Sequence, residues 1–236
     1  LKLSSAIILL LASVISCRQQ TSRPEPARIV DIDRTQRGLT IYYPHFVTID
    51  LACGTMPSKG DSAVNFCCEA SFTGQYLDEF NHFNVAGDHV SSGVRYHGFR
   101  CRKNTGAFVY YDGGWKFLYK DFSNELDSAA FHGGMGFGQE MMIHEGEEVA
   151  HDRSLSNVNL FRALCEIDGR LCIADATDYF EFGTFIAKLK AAGATEALYL
   201  DMGSGWNFSW YREFEGGAAT EIHPHILDFT TNWVVF

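Results

Sequence analysis

The chain has 236 residues, 46% of them hydrophobic and 20% charged, which is enough to bury a continuous core. Its 19 basic and 29 acidic residues give a formal charge of -10. That balance excludes a broad cationic surface for nucleic acid, and the composition excludes a disordered, collagenous or coiled-coil chain.

Residues 3–15 form an apolar run behind Lys2. The run is shorter than the roughly 20 residues a membrane-spanning helix needs, so residues 1–16 read as a signal peptide. The tetrapeptide Val14-Ile15-Ser16-Cys17 resembles the bacterial lipobox, which makes Cys17 the expected lipidation site. Residues 17–27, polar and Pro-containing, then form a tether, and residues 28–236 the folded domain. The expected location is the bacterial cell envelope, with membrane contact through the lipid anchor only. Six cysteines lie beyond Cys17, and no CxxC occurs among them, so a structural zinc site is not expected. Cys165 and Cys172 flank the turn Asp168-Gly169 and can face each other across a hairpin.

Short β-like runs at residues 28–32, 39–43, 46–51 and 63–66 open the domain. Residues 107–111 and 115–119, joined through Asp112-Gly113, predict a hairpin, because Asp-Gly accepts the positive φ of a tight turn. Residues 141–144 and 147–150 predict a second one around Glu145-Gly146, and residues 124–131 a short helix closed by Gly133-Gly134. The glycines of residues 133–138 read as a close-packed loop beside a cleft, with His132 at its edge. The strongest helical signal covers residues 178–192. Phe182, Phe185, Ile186 and Leu189 fall on one face, Asp178 and Glu181 suggest a capping box, and Gly193 supplies the stop. Strand-like residues 170–175 and 196–201 flank it, giving a β-α-β unit whose strands should run parallel through a right-handed crossover. The fold class expected is α+β: mixed, largely antiparallel sheets with one β-α-β crossover unit and few helices.

That unit would bring Asp175 and Asp201 to the same C-terminal sheet edge. Two carboxylates at one edge suit glycosyl transfer to water, one as proton donor and the other as base or nucleophile. An Asp after a strand is also a common helix cap or turn former. Asp201 opens Met202-Gly203-Ser204-Gly205, whose backbone amides can cradle an anion such as phosphate. Trp206, Trp210 and Tyr211 offer either a sugar-stacking platform or edge-strand packing. His223-Pro224-His225 has the spacing of a metal pair but no identified third ligand, so it reads as a surface turn, and neither metal nor cofactor is expected.

In order and spacing, several segments resemble the core of the phosphodiester glycosidase family. They are Leu160-Phe161-Arg162-Ala163-Leu164-Cys165, Asp168-Gly169-Arg170, Cys172-Ile173-Ala174-Asp175, the helix, and Ala197-Leu198-Tyr199-Leu200-Asp201-Met202-Gly203. The likeness runs over roughly residues 60–236 and ends in Thr231-Asn232-Trp233-Val234-Val235-Phe236, similar to the family's final strand. The resemblance implies hydrolysis of a sugar-1-phosphodiester, with a glycan or sugar phosphate as the partner molecule and release of the terminal sugar. By that resemblance Asp201 and Asp175 would be catalytic and Arg162 with the loop Gly203, Ser204 and Gly205 would hold phosphate; beside them, Trp206, Asn207 and His132 are candidate substrate contacts read from their positions in this sequence. Met202 and Ser204 replace family glycines, Gly205 replaces a Ser and Trp206-Asn207 replace small hydroxyl residues. The family's Asn-Ala-Gly-Phe-Phe corresponds either to Glu69-Ala70-Ser71-Phe72, with Glu69 an additional candidate acid, or to Asn65 with the following residues lost. Two alternatives follow: a non-catalytic glycan-binding lipoprotein on the same scaffold, and a metal-dependent phosphodiesterase built on His223, His225 and nearby acids.

Overall fold

The computed structural model describes residues 25–73, 85–98, 102–202, 209–223 and 232–236. In chain order the first strands are β1 (Val30–Asp33), β2 (Leu39–Pro44), β3 (Asp50–Cys53), β4 (Phe66–Glu69), β5 (His89–Ser91), β6 (Val94–Tyr96), β7 (Thr105–Tyr111) and β8 (Gly114–Tyr119). Helix α1 (Ser123–Phe131) precedes β9 (Met135–His144), β10 (Glu147–Glu148), β11 (Val158–Asn159), β12 (Arg162–Ile167), β13 (Arg170–Ala176) and β14 (Phe180–Glu181). Helix α2 (Phe182–Ala191) leads to β15 (Ala194–Leu200), β16 (Ser209–Tyr211), β17 (Thr220–Ile222) and β18 (Asn232–Val235).

A large sheet runs β1-β2-β13-β12-β15-β9-β5-β6, with β7, β8 and β10 attached through β9. A smaller sheet has the order β17-β16-β4-β18-β3. The facing surfaces of the two sheets share one apolar core, in which Leu51, Phe66, Tyr211 and Val234 meet Leu164, Ile173, Leu198 and Leu200. On the other face of the large sheet, Phe182, Phe185, Ile186 and Leu189 of α2 are fully buried against Ala163, Cys165, Ala174 and Ala197. Alternation along β12 explains both layers. Ala163 and Cys165 point toward α2, while Leu164 points between the sheets, and so does Arg162 by the same period of two.

Local signals were read correctly where the chemistry is local. Asp112 and Gly113 have φ of 51° and 75°, and Tyr111 pairs with Gly114 across the turn as the Asp-Gly pattern predicts. Glu145 and Gly146, at φ 52° and 80°, close the second hairpin, although β10 is only two residues long. Cys165 and Cys172 stand directly opposite on β12 and β13, both buried and both free thiols.

Other expectations need correction. The strands flanking α2 are not neighbours, because β12 lies between β13 and β15 and pairs antiparallel with each. They run in the same direction only through that shared antiparallel partner. Every pairing between strands among the described residues is antiparallel. Helix α2 begins four residues late, since Phe180 and Glu181 pair with β11, and its N-cap Glu181 makes no side-chain cap. Strand β3 starts four residues, and β4 three residues, after the start of the runs read from the sequence. Of the glycines of residues 133–138, Gly133 and Gly134 lie in the turn after α1 and line a cavity with His132, whereas Gly136 and Gly138 lie within β9. There a side chain on Gly136 would meet Leu126 Cδ2 at 2.8 Å and the Phe108 carbonyl at 2.9 Å, so close helix-on-sheet packing requires glycine.

Candidate active site

The two sheets meet at one edge through a buried charged cluster. Arg162, the first residue of β12, lies opposite Asp175 on one side and Leu200 on the other. Asp201 follows Leu200, so strand register alone brings Asp175, Arg162 and Asp201 to the same sheet edge, as the sequence led one to expect. From the facing sheet, Glu69 ends β4 and Ser209 begins β16.

Arg162 is fully buried and donates from all three nitrogens. Nε bonds Asp175 Oδ1, Nη1 bonds Glu69 Oε2 and Nη2 bonds Ser209 Oγ, each at 2.8 Å. His223 Nε2 lies 2.8 Å from the other oxygen of Asp175. Asp201 Oδ2 accepts the Thr73 amide at 3.3 Å, and its own N–H donates to the Ala70 carbonyl at 3.0 Å. Glu69, Asp175 and Asp201 are 1%, 3% and 5% exposed, so the cluster is largely withdrawn from bulk water.

Burial dominates the electrostatics. It pushes the Glu69 carboxyl well above its usual value of 4.5; Arg162 opposes that rise and the nearby Asp201 adds to it. Burial also works against the charge of Arg162, but the Asp175 carboxylate leads the neighbours that outweigh it, and the guanidinium is held more firmly protonated than usual. A buried carboxyl whose pKa is raised, beside an arginine that also holds an aspartate, is a candidate proton donor.

Several expected roles are altered. A free guanidinium for bidentate phosphate contact is not what Arg162 offers, since each nitrogen already has a protein acceptor. His132 pairs with Asp112 at 2.7 Å and lines a cavity of about 390 Å³ with Asp50, Ser92 and Tyr110, none of which belongs to the Arg162 cluster. Trp210 is fully buried against Cys67 and Trp233, and Tyr211 packs in the inter-sheet core, so neither presents a stacking platform. Gly203, Ser204, Gly205, Trp206 and Asn207 lie outside the described residues, as do Cys17 and His225. Among the described residues no three His, Cys, Asp or Glu side chains are grouped as a metal ion would need.

The sequence reading missed Ser209 as a partner of Arg162, and it placed His223 in a surface turn. Both reach the cluster only because the small sheet packs over the large one. It also missed a second polar group on the α2 face of the large sheet. There Glu140, fully buried, accepts from Arg153 Nε at 3.1 Å and Nη2 at 2.9 Å, and the Arg153 guanidinium lies 4.5 Å over the Tyr199 ring. The adjacent polar pair Gln139-Glu140 inside the apolar strand β9 was the available signal.

No protein-family model and no curated protein matches the sequence. Solved structures do match in fold. One is the catalytic domain of zebrafish N-acetylglucosamine-1-phosphodiester alpha-N-acetylglucosaminidase, auto-inhibited by its pro-peptide, with a TM-score of 0.58 at 10% identity, covering 92% of this chain and 84% of that one. Another is a hypothetical protein from Synechocystis, with a TM-score of 0.52 at 12% identity, covering 87% of this chain and 61% of that one. The chain therefore has a fold like that of a phosphodiester glycosidase catalytic domain, at a sequence distance where only the fold is shared.

Proposed function

We propose that the protein hydrolyses a sugar-1-phosphodiester, releasing the sugar and leaving a phosphomonoester. The observation that carries this reading is the pairing of Glu69 and Asp175 with Arg162 at the sheet edge where Asp201 follows Leu200, the residue opposite Arg162. The likeness of the whole fold to a phosphodiester glycosidase domain supports it.

In this reading Glu69, whose carboxyl pKa burial pushes up, donates its proton to the phosphate oxygen that leaves C1 of the sugar. Asp201, the most exposed of the three acids, either activates the attacking water or attacks C1 itself. Water supplies the hydroxyl of the free sugar in both routes. Arg162 and His223 hold Asp175 from its two oxygens, so this carboxylate orders the cluster. The apolar run of residues 3–15 and the following Cys17 support display of the domain at a bacterial envelope by a lipid anchor. Loss of membrane fractionation in Cys17→Ser tests that part.

The low exposure of all four charged side chains favours a second reading, in which the cluster is a structural lock and the domain binds glycan without turnover. Incubation with a GlcNAc-1-phosphodiester separates the two. Hydrolysis predicts free sugar from wild type and at least about a hundredfold less from Asp201→Asn, the usual scale for a lost acid or base group. Saccharide binding by both forms with no free sugar from either supports the lock.

A further inference from the structure

Because every nitrogen of Arg162 already bonds a protein acceptor and its side chain is fully buried, a phosphodiester needs another positive group at the same edge. We propose that Arg102 binds the phosphate, an assignment that rests on the sugar-phosphodiester reading above. Arg102 is half-buried, and its guanidinium lies over the Phe72 ring, with Cζ 5.8 Å from the centroid. Its Nε is buried and meets no acceptor among the described residues. A buried N–H of a charged group left without an acceptor costs free energy, and an incoming oxyanion removes that cost.

The position is tied to Asp201 by two routes. Phe72 precedes Thr73, whose amide donates to Asp201 Oδ2 at 3.3 Å. The Phe72 ring also packs on Tyr199 at 5.8 Å between centroids, and Tyr199 stands two residues before Asp201. The Tyr199 hydroxyl accepts the Met202 amide at 3.0 Å, directly after Asp201. The stack on Phe72 thus links the Arg102 guanidinium, through that one ring and the following peptide, to the candidate base.

The backbone of Arg102 is fixed as well. The Thr105 hydroxyl accepts from the Arg102 N–H at 3.2 Å and donates to the Arg102 carbonyl at 2.5 Å. Arg153, the other guanidinium in this region, is neutralised by Glu140, to which two of its nitrogens donate. Arg102 has no such carboxylate among the described residues, and a planar, weakly hydrated guanidinium on an aromatic ring suits a phosphate diester better than a flexible ammonium would.

The test is titration calorimetry of wild type, Arg102→Gln and Arg102→Lys with GlcNAc-1-phosphate and with N-acetylglucosamine, after circular dichroism has shown all three folded. Arg102→Gln should weaken GlcNAc-1-phosphate by about 10- to 100-fold, the range of one charge-assisted contact, and leave N-acetylglucosamine unchanged. Arg102→Lys should recover part of the loss. Equal affinity of wild type and Arg102→Gln for the phosphorylated sugar overturns the assignment, as does a wild type that binds no phosphorylated sugar. Hydrolysis of the diester with Arg102→Gln unaffected leaves the functional reading standing without this residue. Binding of GlcNAc-1-phosphate that depends on Arg102, with no hydrolysis, leaves the residue standing without the reaction.

Discussion

Arg162 bridges three acceptors drawn from both sheets, so its removal leaves Glu69 and Asp175 buried without a cation between them. Arg162→Met should destabilise the fold by about 3–5 kcal/mol, the usual cost of breaking a buried ion pair from one side, read as a shift in urea midpoint. Arg162→Lys should restore only part of this, because one ammonium cannot present the fork that meets Asp175, Glu69 and Ser209 together. Glu69 adds a pH dependence. Its folded pKa lies above the unfolded value near 4.5, so the folded state binds the additional proton. That contribution is complete below pH 4.5 and is lost as pH rises toward the folded value. The stability of wild type relative to Glu69→Gln should therefore fall with rising pH above 4.5, in denaturation curves recorded across pH 4 to 9; a flat difference would contradict the raised pKa.

Elements differ in how far the sequence reveals them. Helix α2 was legible because its four buried residues repeat at helical spacing and Gly193, at φ 88°, ends it. Phe185→Ala should cost about 3–5 kcal/mol, since Phe185 is fully buried against Phe161 and the sheet. The Asp112-Gly113 hairpin was legible for a similar reason: its turn chemistry is local. The insertion of β12 between β13 and β15 was not, because pairing partners are chosen by long-range packing and leave no mark on periodicity. The intended cap at Asp178 gave way to pairing of β14 with β11, a tertiary contact that displaced a local preference. At Gly134 an added Cβ would lie 2.2 Å from the Tyr110 carbonyl oxygen, a backbone atom that cannot swing aside. Gly134→Ala should lower the thermal midpoint measurably, by strain of about 1–3 kcal/mol.

Over the whole molecule, the acidic cluster joins the two sheets where their common core ends. Asp175 and Arg162 come from the large sheet, Glu69 and Ser209 from the small one. Strand ends and the family resemblance made Asp175, Asp201, Arg162 and Glu69 visible beforehand. That Arg162 bonds Asp175, Glu69 and Ser209 together was not visible, since it depends on the approach of one sheet to the other. The same packing leaves Cys67, Cys68, Cys165 and Cys172 fully buried. These four thiols should react with an aromatic disulfide reagent only as fast as the molecule opens, and the Arg162→Met substitution should accelerate them together. The most direct measurement of the central claim is sugar release from a GlcNAc-1-phosphodiester by folded wild type, Glu69→Gln and Asp201→Asn. The account predicts turnover by wild type and a loss of about a hundredfold or more in each variant, with the fold intact. Undiminished turnover in both variants would contradict it.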